Sequence, residues 1–293
     1  MTNIRLPASP LPGASHHADR LLALLVWTAA ALVLGSFAWL LADLLIGGLG
    51  QLSWSFLTTE PASSGRRGGI GPIVVSTLLI LAVAVAAALP LGIGTAVWLS
   101  DYTRSGSRSA HGIRLCLDIL AGVPSIVFGL FGNALFCVWL GLGFSIVSGG
   151  LTLACMILPI FIRTAEAGLS AVPQDWRRGA AALGLSRAAA LRHILLPAAA
   201  PALVAGLMLG IGRALAETAA LIFTSGYVDR MPDSLMDSGR ALAVHIYDLS
   251  MNVTGGDANA YASALVLIVC LLLINGLAAA LSTLWIGRRI TTS

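Results

Sequence analysis

Six long apolar stretches, separated by short polar segments, dominate the chain. A run of about 20 apolar residues is long enough to cross the hydrocarbon core of a bilayer as a helix. The pattern therefore predicts an all-α membrane protein with spans over residues 21–46, 72–99, 115–140, 144–168, 198–225 and 260–287. The connections leave no room for a separate soluble domain. We expect one transmembrane domain over 21–287, with polar tails at 1–20 and 288–293.

The first apolar stretch is a candidate signal peptide, and its length argues against that interpretation. It runs from Arg20 to Ile46, whereas the apolar core of a signal peptide has about 7–15 residues. We therefore expect it to be retained as a membrane span.

The composition supports a membrane protein and excludes several kinds of chemistry. Hydrophobic residues make up 57% of the 293 residues and charged residues only 10%, where soluble domains carry about a quarter. All 17 basic residues are arginine, so a P-loop lysine and a Schiff-base lysine are both excluded. We expect no nucleotide, metal or other cofactor site in this chain and no nucleic-acid partner.

The arginines predict the orientation of the spans. With the N-terminus inside, 12 arginines fall on inner segments and four on outer ones, and cytoplasmic loops are the ones that carry excess arginine. Both termini are therefore expected in the cytoplasm. The outer loop 227–258 is acidic, with five aspartates against Arg230 and Arg240.

The inner loop 169–197 contains a candidate surface helix. Ser186 stands where an N-cap is expected, and Pro197 where the helix should stop. Leu191, Ile194 and Leu195 share one face of this helix. Such an apolar stripe outside the bilayer would fit either a groove in a partner protein or the lipid headgroups.

Charged residues inside apolar spans are the candidate functional residues, because charges at membrane depth normally face a bundle interior or a water-filled path. Arg213 and Glu217 are four residues apart on the fifth span and could pair on one helix face. The pair is either an internal ion pair that locks packing or part of an anion path, since arginine offers a planar fork of donors to an oxyanion. Arg163, with Glu166, is either a second such station, meaning an anion-binding position on the path, or an anchor at the interface. Asp118 is expected to be solvated.

Prolines interrupt three spans, at Pro90, Pro124 and Pro159. Each removes a helix hydrogen bond, so we expect bends at these positions.

The inner loop resembles the EAA motif of permease subunits in bacterial ABC importers. From Gly184 the sequence reads GLSRAAALRHILLP, with Ile194 and then Leu196 and Pro197 at the motif's spacing. In that family the loop docks on a separate ATPase subunit, so the resemblance implies that Gly184, Ser186, Leu191, Ile194, Leu196 and Pro197 belong to an ATPase-coupling loop.

Other stretches resemble the phosphate-specific transport (Pst) permeases: GVPSIVFGLFG at 122–132, LPIFIRTAEAGLSAVP at 158–173 and GRALAETAALIFTSG at 212–226. PLGIGTAVWLSDY at 90–102 and the long outer loop are more similar to the PstA-type than to the PstC-type subunit. The resemblance implies a type I importer permease fold in the inner membrane and places Arg213, Glu217 and Arg163 on the substrate path.

The implied partners are a homologous PstC-type permease, an ATPase dimer that binds ATP and magnesium, and a periplasmic or lipid-anchored phosphate-binding protein. One departure stands in the EAA triplet, where this chain has Arg178-Gly179-Ala180. A glycine in a helix costs about 1 kcal/mol relative to alanine, so the bracing of this loop is expected to differ from the family pattern.

Three other functions compete with phosphate import. The oxyanion could instead be sulfate, molybdate or phosphonate. A secondary, ion-coupled anion transporter could use Glu217 as a proton site, although we see no paired broken helices of the kind that such transporters carry. An intramembrane enzyme would need a nucleophile and a base, and Ser125 has no histidine at membrane depth.

Overall fold

The computed structural model describes residues 16–103 and 106–290, with side chains over 19–103 and 106–280. The chain divides into two units, one up to Gly47 and one from Gly48 onward. Of the predicted cytoplasmic tails, residues 1–15 and 291–293 lie outside the described part.

The first unit is essentially a single helix, α1 (His16–Gly48). Its 33 residues correspond to about 50 Å of helix, more than the hydrocarbon core needs. The large apolar side chains along it are exposed, Trp27 and Trp39 among them. A helix of this composition is stable with such side chains exposed only where the solvent is lipid.

The second unit contains a short hairpin and eleven further helices within the described residues. In chain order these elements are α2 (Trp54–Thr58), β1 (Pro61–Ala62), β2 (Arg67–Gly68), α3 (Gly71–Val97), α4 (Arg108–Ala121), α5 (Ser125–Gly132), α6 (Ile146–Ser170), α7 (Gln174–Ala182), α8 (Arg187–Ala190), α9 (Leu196–Leu215), α10 (Ala219–Ile222), α11 (Leu242–Met251) and α12 (Asp257–Ile290). The two strands pair antiparallel. Three π-helical turns extend α3, α5 and α8, at Trp98–Tyr102, Asn133–Trp139 and Leu191–Leu195.

Five helical segments of the described chain are long and apolar enough to cross a membrane, and a sixth span exists only if a bent pair is counted as one. That pair is α4 with α5, which replaces the single span predicted over 115–140. The chain turns by 106° between them, because Pro124 cannot continue the hydrogen-bond ladder of α4. The bend expected at Pro124 is confirmed, and it is sharp enough to divide the helix.

The helix α4 is amphipathic rather than uniformly apolar. Ala110 and Leu117 are buried against the core, while Arg108 and Asp118 point outward. Such a helix has one face for the protein and one for water or a partner.

The core of the second unit is built where α6 packs between α3 and α9. Small residues let these helices approach closely. A β-carbon on Gly206 would lie 2.9 Å from Cβ of Thr164, and one on Gly210 would lie 3.3 Å from Cβ of Ile157. Gly206 and Gly210 are therefore close-packing positions between α9 and α6.

The fifth predicted span, 198–225, is wrong in its outer third. Helix α9 ends at Leu215, and the chain leaves helical geometry at residues 216–218 before the single turn of α10. The predicted helical spacing between Arg213 and Glu217 is therefore absent.

Candidate anion path and coupling loop

Arg213 and Glu217 do not form the pair that their spacing suggested. Glu217 lies beyond the end of α9, where its side chain is buried and Oε1 accepts a hydrogen bond from the backbone N–H of Ala220, at 3.1 Å. It thus satisfies a free N–H group of α10. Arg213, in the last turn of α9, is exposed and makes no ion pair with any carboxylate among the described residues. An unpaired arginine in an apolar helix has to face water or another protein subunit.

Arg163 lies in a network of four charged side chains that joins α6 to α4. Its Nε donates to Oδ1 of Asp118 at 3.0 Å, and its Nη2 contacts both oxygens of the same carboxylate. Its Nη1 lies 3.6 Å from Oε2 of Glu166. Glu166 is buried and accepts a second hydrogen bond, from Nε of Arg114 at 2.7 Å. The sequence placed Arg163 and Glu166 together, and the structure adds Arg114 and Asp118.

Asp118 is exposed, as expected, but it is not a single carboxylate, because it holds Arg163 in a bidentate ion pair. The two residues are 45 positions apart, so no local spacing could have indicated the contact. The one sequence signal was the polar stripe of α4, which puts Asp118 one turn from Arg114.

The structure does not bring Arg163 together with Arg213. Arg163 faces α4, whereas α9 packs on another side of α6, through Gly210 against Ile157 and Gly206 against Thr164. In this register, Arg213 of α9 is level with a position on α6 about nine residues from Arg163. That separation corresponds to about 14 Å of helix rise. The two arginines are therefore separate candidate stations at different depths.

The coupling-loop residues Gly184 and Ser186 occupy two turns with clear physical roles. Ser186 caps α8 as predicted, with its hydroxyl accepting from the N–H of Ala189 at 3.2 Å. Gly184 ends α7 in the left-handed region, at φ +71°. Around it Leu185 donates to the carbonyl of Ala180 and Gly184 to that of Ala181, the bonding pattern of a Schellman C-cap, in which glycine is preferred.

The helix that follows Ser186 does not stop before Pro197, contrary to prediction. It continues through the π-helical turn Leu191–Leu195 into α9, and Pro197 sits in the first turn of α9. Proline is tolerated there for the following reason. In a continuous α-helix the N–H that proline lacks would bond to a carbonyl one turn earlier, and the wider π turn already interrupts that bonding pattern.

The apolar stripe on this helix is not exposed for a partner, which corrects a second expectation. Leu195 is buried, and Leu191, Ile194 and Leu196 pack against the same cluster, together with Leu169 of α6. The stripe therefore fills a groove of its own chain. The large apolar side chains that remain exposed on the loop are Trp176, Leu183 and Leu185.

A partly buried ion pair fixes the coupling loop to the end of α3. Nε of Arg177 donates to Oδ1 of Asp101 at 3.0 Å, and its Nη1 and Nη2 donate to the carbonyls of Val172 and Leu169. The neighbouring Arg178 is exposed and pairs with the exposed Asp175. The loop is thus braced at Arg177, next to the divergent triplet.

The outer loop is organised around Arg240, whose side chain is only 11% exposed. Its Nη1 lies 3.3 Å from Asp248, 3.8 Å from Asp229 and 3.4 Å from Nδ1 of His245. Its Nε donates to the carbonyl of Tyr227 at 2.8 Å. Arg240 was predicted only as one charge of an acidic loop, because its partners come from two separate segments, 227–229 and 245–248.

The same loop covers the outer end of α6. At the start of that helix, the backbone N–H groups of Ile146 and Val147 donate to the loop carbonyls of Asp237 and Leu235, at 2.9 and 3.1 Å. The N–H of Ser145 donates to the carbonyl of Thr224, just before the loop, at 3.1 Å. A fourth, that of Ser148, donates to the hydroxyl of Ser145.

Residues 88–290 match the protein family described as binding-protein-dependent transport system inner membrane component. This match covers more than half of the chain. The chain belongs to this family. Its members are multi-pass membrane subunits of ABC importers, and they work with an ATPase and a substrate-binding protein.

Two curated relatives cover nearly the whole permease. It is 31% identical over 276 residues to the probable ABC transporter permease protein YqgI of Bacillus subtilis, covering 89% of this chain and 90% of that protein. It is 30% identical over 293 residues to the phosphate transport system permease protein PstA 2 of Mycobacterium bovis, covering 97% and 95%.

Solved structures support the type I importer permease fold. A bacterial ABC transporter involved in the import of alginate superposes with a TM-score of 0.60 at 14% identity, covering 93% of the permease and 99% of that chain. The MetNI methionine ABC transporter, in an inward-facing conformation, gives 0.55 at 17% identity, with 73% and 96% covered. At these identities the likeness concerns the fold alone.

Proposed function

We propose that this permease moves inorganic phosphate into the cell as one of two permease subunits of an ATP-driven importer. The observation that carries the proposal is the near full-length similarity to a phosphate transport system permease. It is supported by Arg163 and Arg213, two arginines that are at least partly exposed on apolar helices. An arginine fork binds an oxyanion through two parallel hydrogen bonds.

The roles of the path residues follow from their depth. Arg213 is near the outer end of α9 and Arg163 is seven residues from the inner end of α6, so the anion meets Arg213 first. Glu217 follows Arg213 by four residues in sequence and is buried as the cap of α10. We keep it as a candidate path residue, because a carboxylate near the path would disfavour a fully ionised anion by charge repulsion.

The partners in this proposal are those implied by the Pst resemblance. A PstC-type permease lies across the anion path from the exposed charged faces of α4 and α9. An ATPase dimer, which carries ATP and magnesium, docks on the coupling loop over 169–197. A phosphate-binding protein delivers the substrate to the outer face. Both termini lie in the cytoplasm of a bacterial cell, with the spans in the inner membrane.

The test is reconstitution of this chain with a second permease, the ATPase and the delivery protein in proteoliposomes. ATP-dependent uptake of radiolabelled phosphate is expected, and an excess of unlabelled sulfate, molybdate or phosphonate should not reduce it. Uptake that one of these anions abolishes would assign the permease to that oxyanion. Uptake that survives ATP depletion and collapses with the proton gradient would contradict the proposal.

A further inference from the structure

The contact between Asp118 and Arg163 places a carboxylate where the transported anion would bind. We propose that Asp118 is an exchangeable counter-ion: its carboxylate occupies the fork of Arg163 in this structure, and the transported phosphate replaces it during passage. The inference rests on the proposed function, and it assigns to Asp118 a positioning and release role at the inner station.

The geometry of the contact is the one an oxyanion would adopt. Nε and Nη2 of Arg163 face the two oxygens of Asp118, and two oxygens of a phosphate group fit the same planar fork. Carboxylate and phosphate therefore compete for one set of donors.

Exposure distinguishes this ion pair from the structural pairs of the molecule. The side chains of Arg163 and Asp118 are 36% and 57% exposed, whereas those of Arg177 and Asp101 are 18% and 16% exposed. Arg177 also donates to two backbone carbonyls. Exposed ion pairs are weak because water screens them, while buried pairs are costly to break. Asp118 is thus a partner that a soluble anion can displace.

Arg163 would stay in place after Asp118 leaves. Its Nη1 remains 3.6 Å from Glu166, and its Nη2 lies 3.4 Å from the carbonyl of Arg114. Glu166 is itself held by Arg114 and is buried. The structural contact and the exchangeable contact of Arg163 therefore belong to different carboxylates.

The exchange gives the inner station a means of release. An arginine without an alternative partner holds a bound oxyanion by its full charge, and that slows departure. When Asp118 returns to the fork, it replaces the hydrogen bonds that phosphate gives up. The anion can then leave without an unpaired arginine remaining at membrane depth.

The test is equilibrium binding of radiolabelled inorganic phosphate to the complete importer in nanodiscs, without ATP and without the delivery protein. Asp118→Asn is expected to bind phosphate about tenfold more tightly, because a neutral amide competes less well than a carboxylate for the guanidinium. The double variant Asp118→Asn with Arg163→Gln should lose this gain. Glu60→Gln, the same chemical change at an exposed carboxylate outside the network, should leave the affinity unaltered.

The outcomes separate the inference from the proposed function. An affinity in Asp118→Asn equal to that of the unaltered complex, or a gain that survives Arg163→Gln, would overturn the exchange. Should Asp118→Asn fail to assemble, Asp118→Ser is measured in its place, and failure of both would also overturn it, since an exchangeable partner is not required for the fold. Phosphate transport itself is judged by ATP-driven uptake of the unaltered complex.

Discussion

Nη1 of Arg240 lies 3.4 Å from Nδ1 of His245 in the outer loop. Since arginine can only donate, Nδ1 accepts and the imidazole proton resides on Nε2. His245 is fully buried, and its Nε2 has no hydrogen-bond partner among the described residues. A second proton would therefore be placed beside a guanidinium and away from water. Burial first, and the charge of Arg240 second, lower the pKa of His245 from 6.5 to about 4.

The stability of the outer loop should consequently depend on pH. The unfolded chain takes up a proton below pH 6.5 and the folded chain only near pH 4, so stability is full above 6.5 and falls as the pH decreases between these values. The expected loss at pH 5 is about 2 kcal/mol. Thermal unfolding of the purified complex at pH 7.5 and pH 5 measures it.

His245→Gln should reduce this pH dependence, because the amide oxygen can accept from Arg240 and does not titrate. The control His111→Gln changes an exposed imidazole of α4 and should leave the dependence as in the unaltered protein. An equal loss of melting temperature in His245→Gln would assign the effect to other groups.

Two glycines of the coupling loop should respond oppositely to alanine. Gly184 has a positive φ, at +71°, so Gly184→Ala is expected to destabilise by about 1 kcal/mol. Gly179 lies inside α7 with open space at its β-carbon position, so Gly179→Ala should stabilise by about 0.5–1 kcal/mol. Melting temperatures and the amount of ATPase that co-purifies provide the measurement. Destabilisation by both changes would show that the space available to the added β-carbon, rather than the backbone conformation, determines the effect.

Arg163→Gln should abolish most phosphate uptake, by a factor on the order of tenfold or more, because glutamine offers no charged fork. Asp118 is largely exposed, so the complex should still assemble. Arg163→Lys keeps the charge without the bidentate geometry and should retain a fraction of the rate. Arg66→Gln, on the exposed outer hairpin, serves as control. Full uptake by Arg163→Gln would remove this residue from the path.

Two variants of Glu217 can separate its role as the cap of α10 from the effect of its negative charge. Glu217→Gln keeps an oxygen that can accept from the N–H of Ala220, so stability should be preserved while uptake decreases if the carboxylate acts on the anion. Glu217→Ala leaves that N–H without its acceptor and should cost about 1 kcal/mol in addition. Normal uptake in Glu217→Gln, measured in the same proteoliposomes, would limit Glu217 to the cap of α10.

The sequence predicts the long helices and the bend at Pro124, but it does not predict the break after α9. The spans that became α3, α6 and α12 are apolar over whole turns, and apolar length is a local property. The break at residues 216–218 follows a helix-forming sequence, so only tertiary contacts reveal it. One of these is the close approach of Gly129 in α5 to Ala220, where a β-carbon would lie 2.8 Å from Cα.

The candidate site was also predicted only in part, because the sequence shows its charged residues and not their contacts. Arg163 is conspicuous as a charge within an apolar run, and the resemblance assigns it to the path. Its ion pair with Asp118 was not predicted, because the contact depends on the 106° turn between α4 and α5. Likewise, the apolar stripe around Leu195 was expected to face a partner, and only the packing shows that its own chain covers it.

The outer end of α6 has a consequence for how an anion enters. The N-terminus of a helix carries partial positive charge and free N–H groups, and it commonly retains phosphate. Here the N–H groups of Ser145, Ile146, Val147 and Ser148 are already bonded within the chain. In the proposed orientation, the mouth of the permease therefore offers no electrostatic trap at this helix, and an arriving anion is left free to proceed to the proposed stations at Arg213 and Arg163.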